Sequence, residues 1–221
     1  MAFLSLALFA EGKSDYRLLT PLLRRLAEQV CVAEARTVVE VGDVIGVDAP
    51  PAYRDADRAT RILEAARTFW GGACILFIHA DASVPAKAIA ERVQPGIDLI
   101  RRELRGGNCV AVVPVRETEA WALADGDALR HALGTTLDDA HMGVPNQPRD
   151  VEAIKDPKEA LRAAFLQVVA PSLRRRSSPS DFFDVLGERI DLARLERVPA
   201  FAELGNDLRR ALRELGILPR R

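Results

Sequence analysis

Five carboxylates stand at or just beyond the ends of apolar runs in this chain, and a histidine stands among them. Glu11 and Asp15 follow LSLALFA, Asp81 follows ILFIHA, and Glu117 and Glu119 follow CVAVVPVR; His79 lies two residues before Asp81, and Lys13 lies between the first two carboxylates. Carboxylates gathered at one point repel one another, and either protonation or a cation relieves the repulsion. Oxygen donors suit hard ions, so Mg²⁺ or Mn²⁺ is the expected occupant. Such an ion polarises a phosphodiester, stabilises a leaving oxygen or activates water. Glu11 also precedes Gly12, whose missing side chain leaves room for a phosphate at an expected helix N-terminus, and Lys13 is placed to touch the same phosphate.

The elements that would position these groups are legible from periodicity. The first ten residues read as a buried strand, and Ser14 opens a helix whose Leu18, Leu22, Leu23, Leu26 and Val30 keep a helical period. Strands are expected over 37–47, 73–78 and 109–115, separated by helices over 56–69 and 86–105, with Gly71-Gly72 and Gly106-Gly107 as stops. This alternation predicts an α/β fold with an about four-stranded, mostly parallel sheet flanked by helices. In open sheets of this kind ligands bind beyond the carboxyl ends of the strands, which is where the acidic residues fall. After about residue 133 the pattern changes. A polar, proline-bearing stretch, TTLDDAHMGVPNQPRD, reads as a surface loop, and helices are expected over 157–169, 179–186, 192–195 and 199–215. Residues 1–133 are therefore read as the α/β core and 134–221 as a loop and helical extension packed on it.

Composition narrows the class. The 221 residues are 48% hydrophobic and 29% charged, enough for a large core, and the formal charge of -1 gives no global field for a nucleic acid, so such a partner needs a local patch. Cys31, Cys74 and Cys109 are odd in number and lack CxxC spacing, as expected of reduced core residues. The apolar N-terminal run has no basic flank and no small-residue cleavage site, and no run reaches the ~18 residues of a membrane span; a cytoplasmic protein is expected.

Structural explanations compete with the chemical ones. Acidic residues after strands cap helices and suit the helix dipole, which accounts equally for Asp15 and Glu119. A histidine beside a core strand is more often a hydrogen-bonded buried residue than a ligand. The run Arg174-Arg175-Arg176 reads as a solvated helix end or as a contact for a nucleic-acid backbone.

The strings AEGKSD, IHADAS and VPVRETEAWALAD, in this order, resemble the bacterial DUF4276 proteins, relatives of the Toprim fold of topoisomerases, primases and OLD-type nucleases. The later strings DPKEAL and VPAF, beginning at Asp156 and Val198, are similar to further family blocks, so the resemblance spans nearly the whole chain. It implies a Toprim-like core in which Glu11 acts in acid/base chemistry, while Asp81 belongs to a DxD pair holding Mg²⁺; Lys13, beside Glu11, is read as the catalytic site's phosphate contact. Here the first member of the pair is His79. Either Glu117 or Glu119 supplies the missing ligand, or His79 selects a softer ion such as Mn²⁺, or the site is a non-cleaving one. Lys158 matches a basic family position suited to phosphate. The resemblance thus implies a metal-dependent phosphodiesterase, a nuclease on DNA or RNA in bacterial anti-phage defence, with an ABC-type or AAA ATPase as partner. The alternative is a noncatalytic Toprim-like protein-binding module or regulatory subunit of an ATPase complex. A Rossmann-like nucleotide enzyme is disfavoured, since neither GxGxxG nor GxxxxGK[ST] occurs.

Overall fold

The structure, a computed structural model, describes residues 2–169 and 177–220. Four strands, β1 (Ala2–Phe9), β2 (Val39–Gly46), β3 (Cys74–His79) and β4 (Gly107–Val112), form one all-parallel sheet in the order β2-β1-β3-β4. Their connections are helical: α1 (Lys13–Glu34), α2 (Arg58–Arg67), and α3 (Pro85–Ala88) joined to α4 (Gln94–Glu103) by a π-helical turn at Ile89–Val93. The expected α/β architecture is therefore present.

Side-chain alternation decides which helix covers which face. Leu4, Leu6 and Leu8 of β1, with Ile75 and Phe77 of β3, pack in one core cluster with Leu18, Leu22 and Leu26 of α1. Ala7, Phe9, Leu76 and Ile78 point the other way and pack with Ile62 and Ala66 of α2 and with Ile97 and Ile100 of α4. Central β3 is buried along its whole length, as a strand covered on both faces must be.

The single helix expected over 86–105 is interrupted by the π turn, with Pro95 two residues beyond its last residue, Val93. Proline has no N–H to continue the ladder, and the wider turn absorbs the missing bond.

Beyond β4 the chain forms α5 (Glu119–Ala122), α6 (Gly126–Leu133), α7 (Asp139–Met142), α8 (Pro157–Val168), α9 (Phe183–Arg189), α10 (Leu192–Leu195) and α11 (Pro199–Glu214). The stretch expected as a polar surface loop is more structured than its composition suggests. Asp138 caps α7 through the His141 N–H, Met142 and Val144 are buried, and a 3-10 turn at Pro148–Ala153 buries Val151. One helical turn is too short to leave a period in sequence.

The crossover from β3 to β4 covers only the α2 face of β4. Its opposite face, carrying Val110 and Val112, is closed by α11 through Phe201, Leu204 and Leu208. Trp121 of α5 is fully buried with its ring edge-on to Phe201, 5.1 Å between centroids. Segments from both sides of residue 133 thus contribute to one continuous hydrophobic cluster.

Close approach of α9 to α1 requires a glycine. A Cβ on Gly187 would lie 2.4 Å from the Leu18 carbonyl oxygen and 2.5 Å from Pro21 Cγ. Gly187→Ala is expected to lower the unfolding free energy by about 1–3 kcal/mol through overpacking. Gly71→Ala, where the added methyl meets nothing within 4 Å, should change it by less than about 0.5 kcal/mol. Urea denaturation of the two variants beside the parent checks the contrast.

Candidate metal centre

The chain leaves β1 through Ala10 and is pinned there by Tyr16, whose hydroxyl accepts the Ala10 N–H at 3.1 Å and donates to the Val47 carbonyl at 3.0 Å. Gly12 caps α1 in an extended conformation, and Asp15, in the first turn, folds back to accept the Gly12 N–H at 2.8 Å. This is the capping role weighed for Asp15, and it also fixes where the carboxylate points. The space left by the missing Gly12 side chain is taken by that carboxylate, since a Cβ there would sit 3.0 Å from Asp15 Oδ2.

His79 ends β3 on the same face as Ile75 and Phe77, so alternation carries its ring under the start of α1, where it has no solvent exposure. Its Nε2 lies 3.1 Å from Asp81 Oδ1 and 3.1 Å from Thr118 Oγ1, while the Thr118 hydroxyl donates to Asp15 Oδ1 at 3.2 Å. On the other side of the ring, Nδ1 faces Asp15 Oδ2 at 3.6 Å and is buried without a hydrogen-bond partner. Thr118 is itself fully buried. The loop that delivers it is held in register by a bridge between Ala82 and Val115 and by the Arg116 N–H to Ala82 carbonyl bond of 2.6 Å. Arg116 has φ of 70°, the left-handed region in which a side chain is strained, so this tight register is maintained against a local cost.

Asp15, His79 and Asp81 form a group able to hold a metal ion: one donor atom from each lies within 4.8 Å of the others. Burial is the first cause of a raised Asp15 pKa; the adjacent His79 and the Gly12 N–H oppose it, and Asp81 adds to it. A cation would relieve both the desolvated carboxylate and the orphaned ring nitrogen.

Glu11 is not part of this group. Its carboxylate is ion-paired with Arg58 Nη1 at 3.0 Å and with Arg92. Both arginines are anchored to the backbone of the metal-capable residues. Arg58 donates to the His79 carbonyl at 2.6 Å and Arg92 to the Asp81 carbonyl at 2.8 Å. The Arg58 guanidinium also lies over the Phe9 ring, 5.5 Å from its centroid, and burial lowers its pKa while Glu11 supports its charge. Phe9 belongs to the α2 face, so the Glu11 cluster and the His79 cluster approach the sheet edge from opposite faces.

The remaining expected residues lie further out. Glu117 accepts the Lys158 N–H at 3.1 Å and so caps α8. Glu119 and Lys158 line a cleft of about 180 Å³ with Ser14, Arg162 and Phe183, beside the metal-capable group. Lys13 is exposed at the start of α1. Arg174, Arg175 and Arg176 lie outside the described residues. Burial raises the pKa of the Cys31 thiol to about 11 and that of Cys109 to about 12, so neither supplies a thiolate nucleophile at neutral pH.

Sequence reasoning missed Thr118, Arg58 and Arg92. Thr118 carries a local signal, a hydroxyl between two glutamates in RETEAW, whereas Arg92 meets Glu11 across 81 residues of chain and leaves none. Compared with models of protein families, with curated proteins and with solved structures, the chain matches none.

Desolvation is also the first cause of a raised Glu119 pKa, with Glu117 adding to it. The folded state therefore holds a proton on Glu119 more tightly than the unfolded chain does, and stability from this group is present at low pH and lost as pH rises through the raised value. Glu119→Gln, neutral throughout, is expected to melt above the parent at pH 7 and to match it below the ordinary value of 4.5. Melting temperatures of both proteins between pH 4 and 8, a range spanning about 4 units around the carboxyl titration, check this.

Proposed function

We propose that the protein is a divalent-metal-dependent phosphodiester hydrolase acting on DNA or RNA, with Mg²⁺ or Mn²⁺ held by Asp15, His79 and Asp81. The observation that carries this reading is the convergence of those three donors at the carboxyl ends of β1 and β3, with the buried His79 Nδ1 unpartnered. Two carboxylates and one imidazole suit Mn²⁺ better than an all-oxygen set would, while leaving Mg²⁺ accessible. When bound, the ion polarises the phosphoryl oxygen and lowers the pKa of a coordinated water.

The chain's own residues have distinct parts in this reading. Thr118 bridges Asp15 and the His79 ring by hydrogen bonds and fixes the orientation of both. The Gly12 N–H holds Asp15 from the side away from Thr118. The cleft carrying Lys158, Arg162 and Ser14 adjoins the group and offers Lys158 to a polyanion, while Arg162 is paired with Glu159 at 3.3 Å and Glu119 lines the same cleft. The Toprim resemblance supports the same chemistry and adds an ATPase partner in phage defence as an extension of it.

Millimolar MnCl₂ or MgCl₂ is expected to raise the melting temperature, by an amount equivalent to about 2.7 kcal/mol when the ion stands at 100 times its Kd. Asp81→Asn should remove most of that shift along with hydrolysis of single-stranded DNA, duplex DNA or RNA. Thr118→Val, which keeps the shape and deletes the orienting hydroxyl, should weaken the ion by about 10–100-fold. A parent protein indifferent to both ions would leave the noncatalytic docking module as the better reading.

A further inference from the structure

Glu11 raises a problem that the metal centre does not solve. Two guanidinium groups converge on this one carboxylate at the edge of the sheet, and neither arginine needs Glu11 to be held in place. Arg58 is fixed by the His79 carbonyl, by the Arg92 carbonyl at 2.9 Å and by the Phe9 ring. Arg92 is fixed by the Asp81 carbonyl and projects from the π turn, an irregularity that re-aims side chains within a helix. The result is a pre-organised pair of planar donors beside the crevice where β1 and β3 part, the place where open parallel sheets bind ligands.

We propose that Arg58 and Arg92 form a clamp for one phosphodiester group of the substrate, and that Glu11 fills this clamp as an internal stand-in when no substrate is bound. A carboxylate and a phosphodiester each carry one negative charge and present two oxygens to guanidinium groups, so a phosphodiester can take the place of the Glu11 carboxylate between the two arginines. Because both arginines bond to the backbone of His79 and Asp81, a phosphate in the clamp sits beside the metal-capable group. Exchange also frees the Glu11 carboxylate, about a quarter exposed at 26%, from both ion pairs. This deepens the proposed function and takes the nature of the polymer from it, but the clamp is testable with no metal present.

The competition has a measurable consequence: a site occupied by its own side chain binds weakly in proportion to the fraction of time it stands open. With EDTA present, Glu11→Gln should bind thymidylyl-thymidine, which has one internal diester and no terminal phosphate, at least about tenfold more tightly than the parent. Adding Arg58→Gln or Arg92→Gln to that variant should abolish the gain. Unchanged affinity in Glu11→Gln, or a gain that survives loss of both arginines, would overturn the clamp. A gain for inorganic phosphate with none for the dinucleotide would overturn its assignment to a diester. Arg92→Gln alone, which retains the Glu11 to Arg58 pair, guards against a folding defect in Glu11→Gln: it should bind the dinucleotide no more tightly than the parent, and tighter binding would also overturn the clamp. Metal dependence enters none of these measurements, so the clamp and the metal centre can fail separately.

Discussion

Strands β1 and β3 lie side by side and parallel, yet their chains leave in opposite directions, β1 through α1 on one face and β3 through α3 and α4 on the other. Most of the buried polar residues among those described collect at the carboxyl ends of these two strands. Asp15, His79, Thr118 and Asp125 are the buried polar residues among those described, and the first three of them meet there. The order of the strands therefore sets where charge can be placed inside an otherwise apolar core.

Placing charge there has a cost that shapes the neighbourhood. A buried carboxylate without partners would be strongly destabilising, and Asp15 keeps its place through the Gly12 N–H and the Thr118 hydroxyl. Thr118 in turn is delivered by a strained loop, with Arg116 in a left-handed conformation and its N–H tied to Ala82. Local strain and buried polarity coincide in one small volume, a pattern of pre-organised sites rather than of structural cores.

Asp81 joins the two halves of the crevice. Its carboxylate faces the His79 ring, and its carbonyl holds Arg92, which holds Glu11. A group bound on either side would therefore act on the same short stretch of backbone at the end of β3. The helical segments beyond β4 contribute by covering the face of β4 opposite α4 and by bringing Lys158 to the cleft it shares with Ser14 and Glu119.

Periodicity in the sequence determined the alternation of strands and helices, and with it a parallel sheet whose carboxyl edge collects Glu11, Asp15, His79 and Asp81. That much is legible because side-chain period and strand length are local properties of the chain. The division of those residues between two clusters is not. Glu11 and Asp15 are four residues apart, and in sequence they look like partners at one site. In the fold, the Asp15 cap draws its carboxylate toward His79 on the α1 face, while Glu11 is taken by Arg58 and Arg92 from the α2 side. Glu117 had the same local claim as a ligand and was drawn away by the N-terminus of α8. The outcomes for Glu11 and Glu117 were decided by donors distant in sequence, whereas Gly12, which turns Asp15, lies three residues from it. Electrostatic pairing depends on separation in space, which the order of residues does not encode and only the packed sheet and helices supply.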